Sequence, residues 1–258
     1  MTFTDHIGTP IQIPNPPERI VSLVPSITEL LFDLGLQKQI VGRTKFCIFP
    51  NEGYPNAKIV GGTKNVHVDI VRQLKPDLVI ANKEENVKEQ VDEISKFSPT
   101  FTTVVKTRDD ALKMMADLGQ ITERKIQSQD LIAEIQENFK TNHIEKQFKV
   151  IYLIWKKPYM TVGGDTYISN FISDFGFKNC FENQIRYPSI QLEEIQEIKP
   201  DLIMLSSEPY PFNEQDKEEI YKKTGINTVL VDGSYCSWYG SRMLKSQNYL
   251  RQLSNKMT

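Results

Sequence analysis

The feature of this sequence that most limits its possible folds is a Lys-Pro-Asp motif that occurs twice. The first copy is QLKPDLVIAN (73–82) and the second is EIKPDLIMLS (197–206). Proline has no amide proton and pushes the preceding residue out of the α region, so each motif predicts the end of a helix. The unbroken apolar run that follows is typical of a strand that is covered on both faces.

Apolar residues at three-residue spacing precede each motif. They lie in VDIVRQL (68–74) and in LEEIQEI (192–198), and this spacing predicts a short helix before each Lys-Pro. Each half of the chain therefore contains a helix, a Pro-Asp turn and a buried parallel strand in the same order.

A second pair of segments supports this duplication. RIVSLVPS (19–26) and KVIYLIWK (149–156) both begin with a basic residue and continue as apolar strands. Each is followed by a helix that closes on a glycine motif, DLGL (33–36) or DFGF (174–177), and glycine commonly stops a helix. The sequence thus predicts an α/β protein of two related lobes with mainly parallel sheets.

The segment between the lobes is predicted to be one long helix. Residues 108–146 contain no proline and one glycine, and their apolar residues follow helical spacing. A helix would hold the lobes apart with limited motion, whereas a Gly/Ser linker would let them tumble. We therefore expect an N-terminal lobe over 1–107, a bridging helical segment over 108–147 and a C-terminal lobe over 148–258, with a ligand cleft between the lobes.

Composition excludes several classes of function. The net charge of −2 gives no general attraction for nucleic acid, and no window approaches the roughly 18 apolar residues of a membrane span. The cysteines and histidines are too scattered to predict a disulfide framework or a bare metal-ion site. These residues are Cys47, Cys180, Cys236, His6, His67 and His143. The VGG stretches at 60–62 and 162–164 lack the spacing of phosphate-binding loops and are predicted to be turns.

Four segments together carry a resemblance to a known family. They are PERIVSLVPSITELLFDLG (17–35), VGGT (60–63), LKPDLVIANKEEN (74–86) and WYGSR (238–242). They resemble the helical-backbone, or class III, substrate-binding proteins of ABC importers, which include vitamin B12 and iron-siderophore receptors, and are most like the cobalamin-binding branch. The resemblance implies two lobes joined by one backbone helix, and binding and delivery of cargo without chemical change.

The resemblance also implies a cargo, a partner and a location. The cargo would be a corrinoid or a similar bulky metal chelate, with an iron siderophore or haem as the alternative, and the protein would need no intrinsic cofactor. A monomer would dock transiently onto an ABC permease dimer in the membrane, in the periplasm or another extracytoplasmic space. The opening MTFTDHIGTP shows no export signal, so a chain that stays in the cytoplasm is the alternative to one whose leader was removed.

Candidate ligand-binding residues follow the predicted strands, because ligands of open parallel sheets lie beyond the carboxyl ends of the strands. Both tryptophans of the chain fall at such positions, and flat aromatic side chains suit a large ring system. The resemblance further implies ligand-facing positions for Pro25, Phe46 and Arg242. The predicted set is Pro25, Ser26, Phe46, Asn82, Trp155, Tyr187, Trp238, Tyr239 and Arg242.

Structural roles are open alternatives for many of these residues. A core position is the alternative for each tryptophan, and a place in a structural loop is the alternative for Phe46, Cys47 and Tyr187. Arg242 could pair with a carboxylate instead of a ligand. For Ser26, and for Thr28 beside it, the expected role is to cap the helix ITELLFDLG.

Two acidic residues are candidates for docking to the permease. Asp69 and Glu193 each stand six residues before their Lys-Pro, at the start of a predicted helix. The helix dipole explains a carboxylate there, but the resemblance implies contact with arginines of the permease. Glu194 is an alternative to Glu193.

The rival hypothesis is an intracellular α/β enzyme or a cofactor-handling protein. It is motivated by polar residues near predicted strand ends, and these are Ser26, Asn82, Glu84, Glu85 and Asp165. Neither a Ser-His-Asp order nor a nucleophile elbow supports it, and no catalytic residue is predicted.

Overall fold

The computed structural model describes residues 1–14, 16–50, 56–140 and 147–256. The chain divides into two compact units. Unit 1 consists of Met1–Val105, Asp109–Ile135 and Tyr239–Arg242, and unit 2 consists of Lys106–Arg108, Gln136–Trp238 and Met243–Thr258. The lobe boundaries predicted from the sequence stay predictions.

The strands and helices of the first part of the chain follow in order. They are β1 (Thr2–Thr4), β2 (Pro10–Gln12), β3 (Ile20–Ser22), α1 (Pro25–Asp33), β4 (Ile40–Arg43), β5 (Lys58–Ile59), α2 (Val68–Leu74), β6 (Leu78–Asn82), α3 (Lys88–Ser95), β7 (Thr100–Thr103), α4 (Arg108–Ile121) and α5 (Lys125–Lys140). The main sheet of unit 1 has the order β5-β4-β3-β6-β7, and each neighbouring pair is parallel. Strands β1 and β2 form a separate antiparallel pair.

The second part of the chain contains β8 (Phe148–Leu153), β9 (Trp155–Lys156), β10 (Tyr159–Met160), α6 (Tyr167–Ser173), β11 (Phe177–Asn179), β12 (Ser189–Ile190), α7 (Leu192–Ile198), β13 (Leu202–Ser206), α8 (Glu214–Thr224), β14 (Thr228–Val231), α9 (Ser234–Ser237) and α10 (Met243–Asn255). The main sheet of unit 2 has the order β11-β8-β13-β14 and is again parallel. A small antiparallel sheet, β12-β10-β9, accompanies it. The two α/β units and their parallel main sheets agree with the prediction from the sequence.

The duplicated motif has the same local structure in both units. Helices α2 and α7 begin and end at the residues predicted from the sequence, and each is followed by a lysine in the left-handed region, Lys75 with φ 47° and Lys199 with φ 50°. The strands after the motif, β6 and β13, are buried along their whole length. Buried strands of this kind need no polar face, which is why their sequences are continuous apolar runs.

The aspartate of each motif fastens its strand to the neighbouring one. The Asp77 carboxylate accepts hydrogen bonds from the backbone amides of Glu18 and Arg19, both at 2.9 Å, at the start of β3. The Asp201 carboxylate accepts one from the Lys149 amide of β8 at 2.7 Å. In both units the aspartate of the motif therefore accepts a backbone hydrogen bond from the neighbouring strand or the residues just before it.

The helical segment after β7 differs from the single helix predicted. A turn over residues 122–124 divides it into α4 and α5, and Glu123 has a φ of 55°. Helix α5 then packs closely on α4, since a Cβ atom added at Gly119 would collide with Ser128, whose hydroxyl donates to the Met115 carbonyl at 2.7 Å. The one glycine of the segment thus permits a close helix contact. The last predicted helical residues, 141–146, lie outside the described residues, and so does His143.

Helix α1 starts at Pro25, two positions earlier than capping by Ser26 requires and four earlier than capping by Thr28 requires, so that prediction is wrong. Its N-cap is Val24, Pro25 occupies the first turn, and no side chain caps the helix. Proline suits this position because its missing amide proton has no partner there anyway. The glycine stops are confirmed, since Gly35 and Gly176 have φ values of 77° and 78°. Across the described ranges, no helix is both long and apolar enough to cross a membrane.

Candidate functional site

At the carboxyl ends of the strands in unit 1, the chain continues into three segments, which follow β3, β4 and β6. Pro25 and Ser26 lie in the first turn of α1, directly after β3, and both are buried. The Ser26 hydroxyl makes no hydrogen bond to another described residue. Because the sheet is parallel, the loops after all three strands lie at the same edge.

A fourth segment, Tyr239–Arg242, belongs to unit 1 although it comes late in the chain. The Arg242 guanidinium forms a bidentate ion pair with Glu29 of α1, with Nε–Oε2 at 2.6 Å and Nη2–Oε1 at 2.9 Å. Both side chains are only 4% exposed. The guanidinium carbon also lies 4.1 Å from the ring centroid of Phe49, in the segment after β4. Of the two roles predicted for Arg242, pairing with a carboxylate is the one that the contacts display.

The loop after β6 is tied to the same segment. The Tyr239 hydroxyl lies 3.1 Å from Oε1 of Glu85. Within the loop, the Asn82 side chain accepts from the amides of Glu84 and Glu85 at 2.8 and 3.2 Å, and its Nδ2 donates to Thr103 at 3.1 Å. Asn82 is 2% exposed. Its amide therefore organises the loop, whereas the prediction gave it a ligand contact.

The described residues directly after β4 include an exposed aromatic side chain and a buried thiol. Phe46 is 50% exposed, as a ligand-facing residue would be, while Cys47 is fully buried. The Cys47 sulfur lies 3.0 Å from the Thr28 hydroxyl and 3.2 Å from that of Thr44. Burial raises the pKa of this thiol, so it stays protonated and serves packing.

In unit 2, the loop after β13 contacts both tryptophans. Trp155 is 40% exposed and meets Tyr210 edge to face, with ring centroids 5.8 Å apart. The indole Nε1 of Trp238 donates to the Glu208 carboxylate at 2.8 Å. Trp238 is 8% exposed. The loop over residues 207–211 was not predicted to be part of the site, yet it contacts the rings of both predicted tryptophans.

The remaining predicted ligand residue, Tyr187, is half-buried beside the small antiparallel sheet. The guanidinium of Arg186 lies 5.8 Å from its ring centroid. The next residue, Pro188, accepts a backbone hydrogen bond from Thr161 at 3.0 Å, which extends the pairing of β10 with β12.

The predicted docking acids occupy matching positions on α2 and α7. Asp69 and Glu193 are exposed in the first turn of their helices. Glu194 is exposed too, but its carboxylate accepts from the Gln191 amide at 2.6 Å in a capping box. Since Glu194 is occupied by the helix terminus, Glu193 is the better candidate for an external contact.

Three of the polar residues that motivated the enzyme hypothesis, Asn82, Glu85 and Asp165, form hydrogen bonds within the protein. Asp165 accepts from the Arg186 amide at 2.5 Å, and Glu85 meets Tyr239 as described. Among the residues that the structure describes, no group of three histidine, cysteine, aspartate or glutamate side chains could hold a metal ion.

Unit 2 has a surface cavity of about 490 Å³ beside α6 and the edge strand β11. Its lining includes Asn170, Lys178 and Asn179, and it contains none of the predicted ligand-binding residues.

Comparison with known proteins identifies the class to which this fold and site belong. The chain belongs to the periplasmic binding protein family, which matches residues 20–229. The match confirms the family resemblance seen in the sequence. It also confirms the prediction that this chain is a solute-binding component of a transport system and not an enzyme. The predicted fold of two α/β units is confirmed as well.

Several individual proteins of known sequence or structure are similar to this chain. The chain is 29% identical over 218 residues to an uncharacterized ABC transporter substrate-binding lipoprotein of Bacillus subtilis (strain 168), covering 79% of this chain and 68% of that protein. It is 25% identical over 198 residues to a vitamin B12-binding protein of Vibrio parahaemolyticus, covering 74% and 71%. It also resembles the crystal structure of a possible iron-binding (periplasmic solute-binding) protein from Staphylococcus epidermidis, with a TM-score of 0.77, 25% identity and coverage of 92% and 98%.

Proposed function

We propose that this chain is the substrate-binding component of an ABC importer and that its cargo is a corrinoid or another bulky metal chelate. The main support for this proposal is the loop over residues 207–211 of unit 2, which contacts both tryptophans. Trp155 is two-fifths exposed, it packs against Tyr210, and the loop that holds both tryptophans follows a parallel strand. Broad aromatic rings cover a large apolar macrocycle at little cost in side-chain entropy.

A vitamin B12-binding relative supports a corrinoid, and a relative titled as iron-binding supports an iron chelate as the alternative. We assign the cargo contacts to the predicted set, with direct roles for Phe46, Trp155 and Trp238. Asn82 and Arg242 contribute indirectly, because their polar groups bond within unit 1.

The test is to titrate the protein separately with cyanocobalamin, haem and a ferric siderophore while the tryptophan fluorescence is measured. We expect one of them to quench the emission at micromolar concentration or below. Trp155→Ala should weaken that binding, while Tyr221→Ala, at another exposed aromatic residue far along α8, should leave it unchanged. Absence of quenching by all three compounds would refute the chelate assignment.

We further propose that the loaded protein docks onto a permease dimer as a monomer outside the cytoplasm, through Asp69 and Glu193. Both carboxylates are exposed at helix starts, where the helix dipole favours them. Glu193→Lys should reduce transport without changing cargo affinity, and Glu197→Lys on the same helix is the matched control. A Glu193→Lys protein that transports normally would remove this residue from the docking surface.

A further inference from the structure

Glu208 lies at the centre of a bonded network behind Trp238. Its Oε1 accepts from Trp238 Nε1 at 2.8 Å and from the Ser237 hydroxyl at 2.7 Å. Its own backbone is fixed by Ser206, whose hydroxyl donates to the Glu208 carbonyl at 2.6 Å. Ser206 ends the buried strand β13, so the carboxylate is attached to a rigid part of the fold.

The neighbouring packing leaves this loop little freedom. A Cβ atom added at Gly233 would lie 2.6 Å from Cγ of Glu208, and it would also collide with the Ser206 hydroxyl. Gly233 directly precedes α9, the helix that leads into Trp238. The absence of a side chain at Gly233 therefore lets the Glu208 loop and the Trp238 segment approach closely.

Unit 1 contains a related contact. Tyr239, the residue after Trp238, has its hydroxyl 3.1 Å from Oε1 of Glu85. Glu208 stands nine residues after Lys199 and Glu85 ten residues after Lys75, so both carboxylates belong to the loops that follow the duplicated motif. Each of the two adjacent aromatic residues is thus bonded to a glutamate from one copy of the repeat.

We propose that Glu208 is a positioning residue that fixes the indole of Trp238 and thereby sets the affinity for cargo, with Glu85 acting in the same way on Tyr239. The inference rests on the proposed function for its effect on cargo. An indole has a single polar atom, a donor, and a charged acceptor makes a shorter and stronger bond to it than a neutral one. A carboxylate on a rigid loop therefore selects one orientation of the ring.

The experiment uses the full chain with Trp155→Phe, so that Trp238 is the only tryptophan. Glu208→Ala removes the acceptor, Glu208→Gln keeps a neutral acceptor of the same size, and Glu218→Ala removes an exposed glutamate of α8 as the control. Acrylamide quenching, measured without cargo, reports how accessible the Trp238 indole is to solvent. The affinity of each variant is then compared with that of the Trp155→Phe parent, for whichever of cyanocobalamin, haem and the ferric siderophore the wild-type protein binds. Far-UV circular dichroism establishes that each variant is folded.

We expect Glu208→Ala to increase quenching of Trp238 and to weaken cargo binding about 10- to 100-fold, the equivalent of a lost charged hydrogen bond. Glu208→Gln should show a smaller change in both, and Glu218→Ala none. Unchanged quenching in a folded Glu208→Ala protein would overturn the proposal, and so would increased quenching with unchanged affinity. If quenching increases but the wild-type protein binds none of the three compounds, the positioning of Trp238 stands and the chelate assignment fails.

A second pair of variants tests the contact in unit 1. Tyr239→Phe removes only the hydroxyl, and Glu85→Gln removes the charge of its partner. If the two groups act as a unit, the double variant should weaken cargo binding no more than the stronger of the single variants. Additive losses would overturn a shared role for Glu85 and Tyr239.

Discussion

Removal of Arg242 should destabilise this protein more than removal of any exposed arginine. In the Arg242→Met variant the Glu29 carboxylate would stay buried, at 4% exposure, without the two guanidinium bonds that now compensate its charge. Breaking a buried ion pair from one side typically costs about 3–5 kcal/mol, because the remaining charge is desolvated and unpaired. We expect a loss of this size in the free energy of unfolding.

The double variant Glu29→Leu with Arg242→Met separates the charge from the packing. Because it leaves no buried charge, most of the loss should be recovered. A remaining deficit of about 0.5–2 kcal/mol is expected from the lost contact between the guanidinium of Arg242 and the ring of Phe49, at 4.1 Å.

Arg72→Met is the matched control. Arg72 also lies 4.1 Å from a phenylalanine ring centroid, that of Phe97, and pairs with Glu93, but its side chain is 51% exposed. An exposed pair of this kind contributes about 0–1 kcal/mol. The assay is urea unfolding followed by circular dichroism. If Arg242→Met costs no more than Arg72→Met, the reasoning about the buried pair is refuted.

Three further predictions concern stability. Asp77→Ala should lower the free energy of unfolding by about 1–2 kcal/mol, since two backbone amides lose their acceptor, and an unchanged urea midpoint would contradict the anchoring role. The hydrogen bond from Lys156 lowers the pKa of Glu219 from 4.5 to about 2, so its stabilising effect is complete above pH 4.5 and is lost as the pH falls toward 2. The wild-type protein should therefore lose more stability over that interval than Glu219→Gln, and equal losses in urea titrations would argue against the pair. Gly164→Ala should cost about 1–3 kcal/mol because the new Cβ atom would collide with the Glu182 carbonyl oxygen, and a thermal melt identical to that of the wild type would contradict this contact.

The duplicated motif made much of the fold predictable. Helix periodicity before each Lys-Pro gave the limits of α2 and α7, and the apolar runs gave the buried strands β6 and β13. These features are local, because proline and a continuous apolar run act on the backbone within a few residues. The division between α4 and α5 was missed, since neither proline nor a second glycine marks the turn at Glu123.

The site was predictable in position but not in its contacts. The order of strands and loops placed Trp155 and Trp238 after strands of unit 2, and the same argument applied to the second copy of the motif would have selected Glu208 and Tyr210. In the first copy, the corresponding loop follows β6, and Asn82 at the end of that strand was predicted to be a site residue. The signal was therefore present in the repeat itself.

The sequence by itself determined two α/β units, their parallel strands and the family, because periodicity, proline and continuous apolar runs act on the backbone within a few residues. Only the tertiary structure decided that Arg242 pairs with Glu29, 213 residues away, and that Glu208 holds Trp238 across 30 residues. Many acidic residues of this chain could have paired with either side chain. Which one does so depends on how sheets and loops bring distant segments together, and burial then makes the choice energetically decisive.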